Sequence, residues 1–477
     1  MEDILVKGSI RDISGALTAR KISVREMTDW YLARIARLGS TRGLNAVRAI
    51  ADDAVDIARL RDEEFAAGRS CGSLHGIPVL IKDNIHAGSG LTTTAGSRAL
   101  ANFRSAREAT LVRRLRAAGA IILGKTNLTE FADYVSDVMP SGFSGAGGTV
   151  IHPFTKEGYG RGLGSSVGSA ASVAASLAPI AIGSETQNSI QTPASITSIF
   201  GLKPSVGMVS RNGVVPLVPS QDSPGPLARN VEDLHLVLAA IGGPDINDSA
   251  TSEMLGNLFG LLALREPRSI RIGVMRRAIA DRKDFEAVMP TFEAVLEELR
   301  RAGVTIVDPC DLPSAEQLQE VRSCVFRTEF KAALDAFLEN SDWRGEVGSL
   351  ADIVRWNDAH PDAIPFGQSL LLAALETEGL GDAYRNDRRR DIALSRQAGI
   401  DAALRFGEAD ALIAPMGAAA KCTGKSGYPV LAIPTGKDSS GMPFGITLTS
   451  GFAQDEHLLE VGAALNRIVG QRLIPEF

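Results

Sequence analysis

Residues 164–190 read GSSVGSAASVAASLAPIAIGSETQNSI, and this stretch organises the predicted fold around it. The preceding loop is rich in small residues, since positions 140–169 hold nine glycines and seven serines or threonines. The apolar run at 170–182 predicts a buried helix. Such a helix would bring the loop around Ser165 and the loop around Ser189 together at one end. A loop of glycine and serine that enters a buried helix is typical of a functional site.

Short apolar runs alternate with amphipathic segments along much of the chain, which predicts an α/β fold. Residues 79–81 form an apolar run that ends in Lys82, Asp83 and Asn84, as expected for a buried strand that opens onto a site. A predicted helix at 110–118 stops at Gly119 and is followed by a predicted strand at 120–123. After residue 408 the predicted elements are strands at 411–414, 430–433 and 445–449 and a helix at 454–468.

The region from 250 to 407 differs in character from both ends of the chain. Charged helical segments dominate it, notably 290–301 and 382–406. We therefore interpret 250–407 as a helical insertion or cap, between an N-terminal part at 1–245 and a C-terminal α/β part at 408–477.

The composition excludes several classes of protein. Apolar residues make up 44% and charged residues 22%, as in a folded globular chain. The net charge is −6 without a basic block, which argues against nucleic-acid binding. Neither a signal peptide nor a membrane span is predicted, so we expect a cytoplasmic protein. The four cysteines have no C-x-x-C spacing, which argues against a structural zinc site or a disulfide framework.

Two catalytic motifs match the sequence by letter but not by context. Residues 164–168 fit the G-x-S-x-G pattern, yet that motif should follow an apolar strand and here follows the glycine-rich 158–162. Residues 119–126, GAIILGKT, fit the P-loop pattern, but their variable positions read as the strand itself. None of the six histidines lies in a pattern that marks a catalytic base, and there is no H-E-x-x-H motif.

Lys82, Ser165 and Ser189 remain as candidates for nucleophilic catalysis. Ser165 and Ser189 lie 24 residues apart, and Lys82 ends a predicted buried strand. Burial lowers the pKa of a lysine and lets it act as a base, and Ser-Lys pairs are an established variant of the catalytic triad. The residues alone also fit a plainer interpretation, in which the serines belong to turns and the lysine to an ion pair.

A series of segments, taken together and in order, resembles the amidase signature family. They are GIPVLIKDN at 76–84, TTAGS at 93–97, GKTN at 124–127, GSSVGS at 164–169, SIQTPA at 189–194, GLKP at 201–204, GPLAR at 225–229 and PFG at 443–445. The resemblance implies a single domain over 1–477, built on a central twisted mixed β-sheet covered by helices on both faces. It also implies a hydrolase of linear carboxamides that needs no cofactor and no metal.

The resemblance assigns roles to particular residues. It implies that Ser189 is the nucleophile that carries the acyl group, that Ser165 is the bridging cis-serine, and that Lys82 is the base. The backbone N–H groups of Thr186, Gln187, Asn188 and Ser189 would hold the oxyanion. We further expect Ser141 and Gln191 to contact the substrate.

The sequence departs from the family pattern beside the expected nucleophile. Gln187-Asn188 stands where the family has Gly-Gly, and Gln191 stands where it has arginine. The acid before the loop is Glu185 instead of aspartate. We predict that the two amide side chains narrow the acyl side of the site.

Three functions remain open on the sequence. The favoured one is hydrolysis of a small-molecule linear amide, with a homodimer as a family-level expectation. The second is the amidase component of a tRNA-dependent amidotransferase, and the third is a non-catalytic binding protein on the same fold. Residues 343–385, which include Phe366-Gly367-Gln368, resemble the stand-alone amidases, among them peptide-amidase-like members. The sequence does not identify the amide.

Overall fold

A computed structural model describes residues 2–254, 260–279, 283–343 and 345–477. Its strands are β1 (Val47–Ile50), β2 (Pro78–Lys82), β3 (Ile121–Thr126), β4 (Phe143–Ser144), β5 (Gly148–Thr149), β6 (Ile180–Glu185), β7 (Phe200–Lys203), β8 (Ser223–Ala228), β9 (Arg271–Val274), β10 (Thr305–Val307), β11 (Ala411–Pro415), β12 (Val430–Lys437) and β13 (Pro443–Thr449). Eleven of them form one sheet in the order β1-β3-β2-β6-β8-β7-β12-β13-β11-β9-β10, and β4 pairs with β5 separately.

The α-helices of the described part flank this sheet. They are α1 (Glu2–Lys7), α2 (Ile10–Thr18), α3 (Val24–Arg34), α4 (Ala54–Ala66), α5 (Thr110–Ala117), α6 (Val167–Ala174), α7 (Gln191–Ile196), α8 (Val231–Ile241), α9 (Met289–Arg301), α10 (Ala315–Glu320), α11 (Val325–Glu339), α12 (Leu350–Ala359), α13 (Ser369–Leu375), α14 (Asp382–Ser395), α15 (Asp401–Gly407), α16 (Ala420–Ser426) and α17 (Asp455–Val469). No helix in these ranges combines the length and the apolar composition needed to cross a membrane.

The sheet is mixed, as the sequence predicts. β2 lies parallel to both β3 and β6, whereas β6 pairs antiparallel with β8. All residues of β2, β3 and β6 are buried. Strands covered on both faces read as near-continuous apolar runs, which is why these segments are recognisable in the sequence.

The prediction of one buried helix over 170–182 is wrong. α6 ends at Ala174, and β6 begins at Ile180. Pro179 lies just before β6, and Ser176 has a left-handed φ of 58°, so the chain turns between the two elements. The loops around Ser165 and Ser189 still come together, because α6 leads away from Ser165 and β6 returns the chain to Ser189.

The region 250–407, interpreted as a helical insertion or cap, also contains two strands. β9 and β10 lie in this region and belong to the main sheet, where β9 pairs in parallel with β11. Three-residue and four-residue strands carry too little pattern to stand out beside long amphipathic helices. The helices of the region build a second apolar core, in which Phe330, Leu334 and Leu350 pack with Phe131.

Candidate active site

Lys82 is the last residue of β2, and its side chain is fully buried. The Nζ atom lies 2.7 Å from Ser165 Oγ and 2.9 Å from Ser166 Oγ. It also lies 3.0 Å from Ser184 Oγ on the neighbouring strand β6. The amine is therefore surrounded by hydroxyl groups at hydrogen-bond distance, without an ion pair to any carboxylate in the described part of the chain.

This environment changes the protonation of Lys82. Burial lowers its pKa from the usual value of 10.5 to about 7, and the negative charges of Glu185, Asp222 and Asp133 oppose that shift only in part. Removal of water disfavours the charged ammonium form. A large fraction of the amine is consequently neutral near pH 7, and a neutral amine can accept a proton.

Ser165 is held at the N-terminal end of α6. The Gly164–Ser165 peptide bond is cis, and the Ser165 carbonyl accepts a hydrogen bond of 3.1 Å from the N–H of Thr129. Position 164 requires glycine, because a Cβ there would collide with the Thr129 hydroxyl. The N–H of Ser166 donates to the Ser189 carbonyl over 3.0 Å, so the loop after β6 is joined directly to the start of α6.

Ser189 follows β6 and lines a cavity of about 710 Å³. Thr186, Gln187 and Asn188 line the same cavity. Neither Gln187 nor Asn188 has a positive φ, so glycine is not required at either position for backbone reasons. The Asn188 side chain donates to the Gly162 carbonyl over 2.7 Å, which ties this loop to the one that carries Ser165.

Gln191, expected to contact the substrate, is fully buried and is not part of the described cavity wall. Its side-chain nitrogen donates to Glu185 over 2.6 Å and to the Gln187 carbonyl over 3.0 Å. The second Glu185 oxygen accepts the N–H groups of Ile190 and Gln191. Gln191, which stands where the family has arginine, thus stabilises the loop through hydrogen bonds and does not line the cavity.

Ser141, the other expected substrate contact, is also fully buried. Its hydroxyl donates to Asp133 over 2.9 Å and accepts from the N–H of Leu163 over 3.0 Å. Asp133 itself lines the cavity. In this structure Ser141 therefore orients a cavity-wall carboxylate and the loop before Ser165.

Asp222 is a further residue of the candidate site that no sequence motif predicts. It is buried, and one carboxylate oxygen accepts the Thr186 hydroxyl over 2.5 Å. The other oxygen accepts the N–H groups of Leu217 and Val218. The residue lies just before the GPLAR segment, where no motif marks it as part of a site.

Part of the cavity wall comes from chain segments far from Ser189 in sequence. Charged side chains from 321–327 and α16 lie there, namely Arg322, Arg327, Lys421 and Lys425. Nothing in the local sequence links these residues to the site, because the fold alone brings them together.

The amidase family model matches residues 26–425. The chain belongs to the amidase signature family. This confirms the resemblance seen in the sequence motifs, and the amidase is therefore an amide-hydrolysing enzyme.

Relatives match the amidase over nearly its whole length. The native peptide amidase of Stenotrophomonas maltophilia is 38% identical with a TM-score of 0.90, and the match covers 98% of each chain. A probable amidase of Arabidopsis thaliana is 33% identical over 99% of this chain and 92% of its own. A glutamyl-tRNA(Gln) amidotransferase subunit of Ralstonia pickettii is 31% identical over 97% of this chain and 98% of its own.

Proposed function

We propose that this amidase hydrolyses the C–N bond of a linear carboxamide through an acyl-enzyme on Ser189. The observation that carries the proposal is the buried Lys82 amine, 2.7 Å from Ser165 Oγ and with its pKa lowered to about 7. A serine hydroxyl is a weak nucleophile until a base takes its proton. Lys82 supplies such a base near neutral pH.

Acylation begins when Ser189 Oγ attacks the carbonyl carbon of the amide. The Ser189 proton passes to Ser165 Oγ, and the Ser165 proton passes to Lys82 Nζ, since a hydroxyl both donates and accepts. When the tetrahedral intermediate collapses, the C–N bond breaks and the proton returns through Ser165 to the leaving nitrogen. Ammonia or an amine departs and leaves an ester on Ser189.

Deacylation uses the same relay in the second half of the reaction. A water molecule gives its proton towards Lys82 through Ser165 and attacks the ester carbonyl. The ester bond breaks, Ser189 recovers its proton, and the carboxylic acid is released.

The oxyanion is assigned to the backbone of residues 186–189. Within the described residues, the N–H groups of Gln187, Asn188 and Ser189 donate no hydrogen bond, so they are available to a developing negative charge. Donors held in place before reaction stabilise the transition state without reorganisation. Glu185 and Gln191 support this loop, and Asp222 holds Thr186 at its start.

A hydrolysis screen tests this function. The purified enzyme is assayed against aliphatic amides, aryl amides, amidated peptides and hydrazides, with release of the acid and of the amine measured together. We expect turnover of at least one class by wild type and by Ser440→Ala, a matched control in an exposed loop, and none by Ser189→Ala. Equal activity of wild type and Ser189→Ala would overturn the assignment.

The similarity to a glutamyl-tRNA(Gln) amidotransferase subunit supports a second candidate, in which the amidase works within a larger assembly. The same hydrolysis screen, carried out on the single chain alone, distinguishes the two candidate functions. Hydrolysis without added partner proteins supports the stand-alone enzyme, which the similarity to the peptide amidase favours. The homodimer stays a prediction.

A further inference from the structure

The cavity beside Ser189 carries unbalanced positive charge. Four of its lining residues are cations, Arg322, Arg327, Lys421 and Lys425, and two are acids, Asp133 and Asp387. Arg322 and Arg327 have exposed side chains and form no ion pair within the described residues. Both guanidinium groups are therefore available to a ligand.

The two acids of the cavity have partners of their own. Asp387 forms an ion pair with Arg390 at 2.7 Å and accepts the Cys324 N–H. Asp133 accepts the Ser141 hydroxyl, and burial raises the pKa of Asp133, which disfavours its charged form. Neither carboxylate neutralises the arginines.

The two lysines differ in their pairing. Lys425 is buried and forms an ion pair with Asp391 at 2.5 Å. The Lys421 amine donates to the Gln319 carbonyl over 2.9 Å and has no carboxylate partner within the described residues. Burial lowers the pKa of Lys421, and repulsion from Lys425 and Arg322 lowers it further. Lys421, Lys425 and Arg322 are thus close enough to repel one another, and a bound anion would relieve that repulsion.

The backbone segments that carry Arg322 and Lys421 are anchored on the structure around Ser189. The segment before α11 is anchored on α14, because Arg390 donates to the Arg322 carbonyl over 2.7 Å and Ser323 donates to Asp391 over 2.8 Å. α16 packs directly on the loop after β6, where Gly424 is needed because a Cβ would lie 3.0 Å from Gln187 Cα. The positively charged wall and the expected nucleophile therefore line one pocket whose segments are joined by hydrogen bonds and close packing.

We propose that the preferred substrates of this amidase carry a carboxylate on the part remote from the scissile amide, bound by Arg322, Arg327 and Lys421. The inference rests on the proposed amide hydrolysis and adds the substrate class. A guanidinium group matches a carboxylate with two parallel hydrogen bonds, which makes arginine the favoured partner for such a group. The charged group would not react; it would orient the amide carbonyl towards Ser189.

The test compares three matched series of linear primary amides. Their far ends carry a carboxylate, a neutral hydroxymethyl group or an amine, and the chain length is varied in each series. We expect kcat/KM in the order carboxylate, hydroxymethyl, amine at the best chain length. Added salt should reduce the preference, because it screens exposed charges.

Charge-neutral variants connect the preference to named residues. Arg322→Gln, Arg327→Gln and Lys421→Gln should each lower kcat/KM for the carboxylate series about two- to fivefold, the range of exposed ion pairs. The hydroxymethyl series should change less than about twofold in the same variants. Arg301→Gln, an exposed arginine on α9, is the matched control and should leave both series unchanged.

The outcomes separate this inference from the proposed function. Hydrolysis of neutral amides with no preference for the carboxylate, or an equal loss for all series in the variants, overturns the inference alone. Failure of the wild type to hydrolyse any amide overturns the proposed function and this inference with it. A carboxylate preference that the three variants reduce supports both.

Discussion

The pKa of Lys82 sets the pH range in which the proposed base is neutral. That pKa is lowered to about 7, so the amine is protonated below this pH and neutral above it. We expect kcat/KM for a non-titrating amide to fall about tenfold per pH unit below pH 7 and to level off above it. The measurement is a pH–rate profile from about pH 5 to about pH 9. A flat profile through pH 7 would rule out Lys82 as the titrating base.

Replacement of Lys82 separates proton transfer from positive charge. Lys82→Ala and Lys82→Arg should both lose about 10³-fold or more in kcat, because guanidinium stays protonated and cannot accept a proton. Lys203→Arg controls for the effect of placing a guanidinium group at a buried lysine position. Lys203 is also fully buried, but its amine donates to the Tyr428 carbonyl. A near-normal rate for Lys82→Arg would show that the lysine supplies charge alone.

Asp222 is a positioning residue, because it acts on the oxyanion loop through the Thr186 hydroxyl. Asp222→Ala leaves three buried donors without their acceptor, which costs about 1–3 kcal/mol for each unsatisfied group. We expect kcat to fall about tenfold, with little change in KM, and Asp222→Asn to recover part of the rate.

Asp233→Ala is the matched control for Asp222. Asp233 is buried and accepts the Ile10 N–H over 3.0 Å, and it is not among the residues of the cavity wall. The Asp233→Ala variant should have a lower free energy of unfolding but an unchanged kcat. If Asp222→Ala loses stability but keeps the wild-type kcat, then Asp222 has only a structural role.

At the scale of elements, the loop after β6 has a backbone held by Glu185 and Gln191 and carries two amide side chains. Gln187 and Asn188 line the cavity where the family pattern has no side chain, so we expect them to limit the size of the acyl group. The Gln187→Gly/Asn188→Gly double variant should accept larger acyl groups and change the ratio of kcat/KM between substrates. A common factor for all substrates would mean that the two residues act through the backbone alone.

Asn188→Asp controls for the hydrogen bond that joins the loop after β6 to the loop that carries Ser165. The Asn188 amide donates to the Gly162 carbonyl, and an aspartate has similar volume but cannot donate. A loss of rate without a change in size preference is expected here. If this variant alone reproduces the altered selectivity, the tie determines selectivity, and the volume of the two side chains does not.

At the scale of the whole molecule, the central sheet joins regions that the sequence separates. β9 and β10 come from 250–407 yet extend the sheet beyond β11. The apolar core of the helical region also includes Phe131, which precedes Ser165 in the chain. We therefore expect the chain to unfold as one cooperative unit.

Leu334→Ala, a substitution within the helical region, tests whether the whole chain unfolds cooperatively. Leu334 is fully buried on α11, and its truncation should cost about 2–5 kcal/mol. Thermal unfolding followed by far-UV circular dichroism and by residual activity should show one transition each, and both midpoints should fall together. Two separate transitions, with only one of them displaced, would show that 250–407 unfolds independently.

The sequence was informative where chemistry and pattern are local. The strand that ends at Lys82 is recognisable because an apolar run stops at a charged residue. The turn that divides 170–182 was missed because small apolar residues fit a buried helix and a buried strand equally well.

The distant part of the site was beyond local prediction. Asp222 and Arg322 reach the candidate site through sheet order and helix packing, which depend on contacts between residues far apart in the chain. Family position predicts that Gln191 contacts the substrate, but its side chain donates to Glu185 and is not part of the cavity wall. Position in a motif does not determine the direction of a side chain.

The acyl-enzyme on Ser189 is the central claim, and covalent labelling tests it most directly. The wild type and the Ser189→Ala and Ser440→Ala variants are treated with a fluorophosphonate probe, and intact mass spectrometry is followed by peptide mapping. We predict one adduct on Ser189 in the wild type and in Ser440→Ala, formed more slowly as the pH drops below about 7, and no adduct in Ser189→Ala. An adduct on any other residue, or a wild-type enzyme that turns over amides yet is never labelled at Ser189, would contradict it.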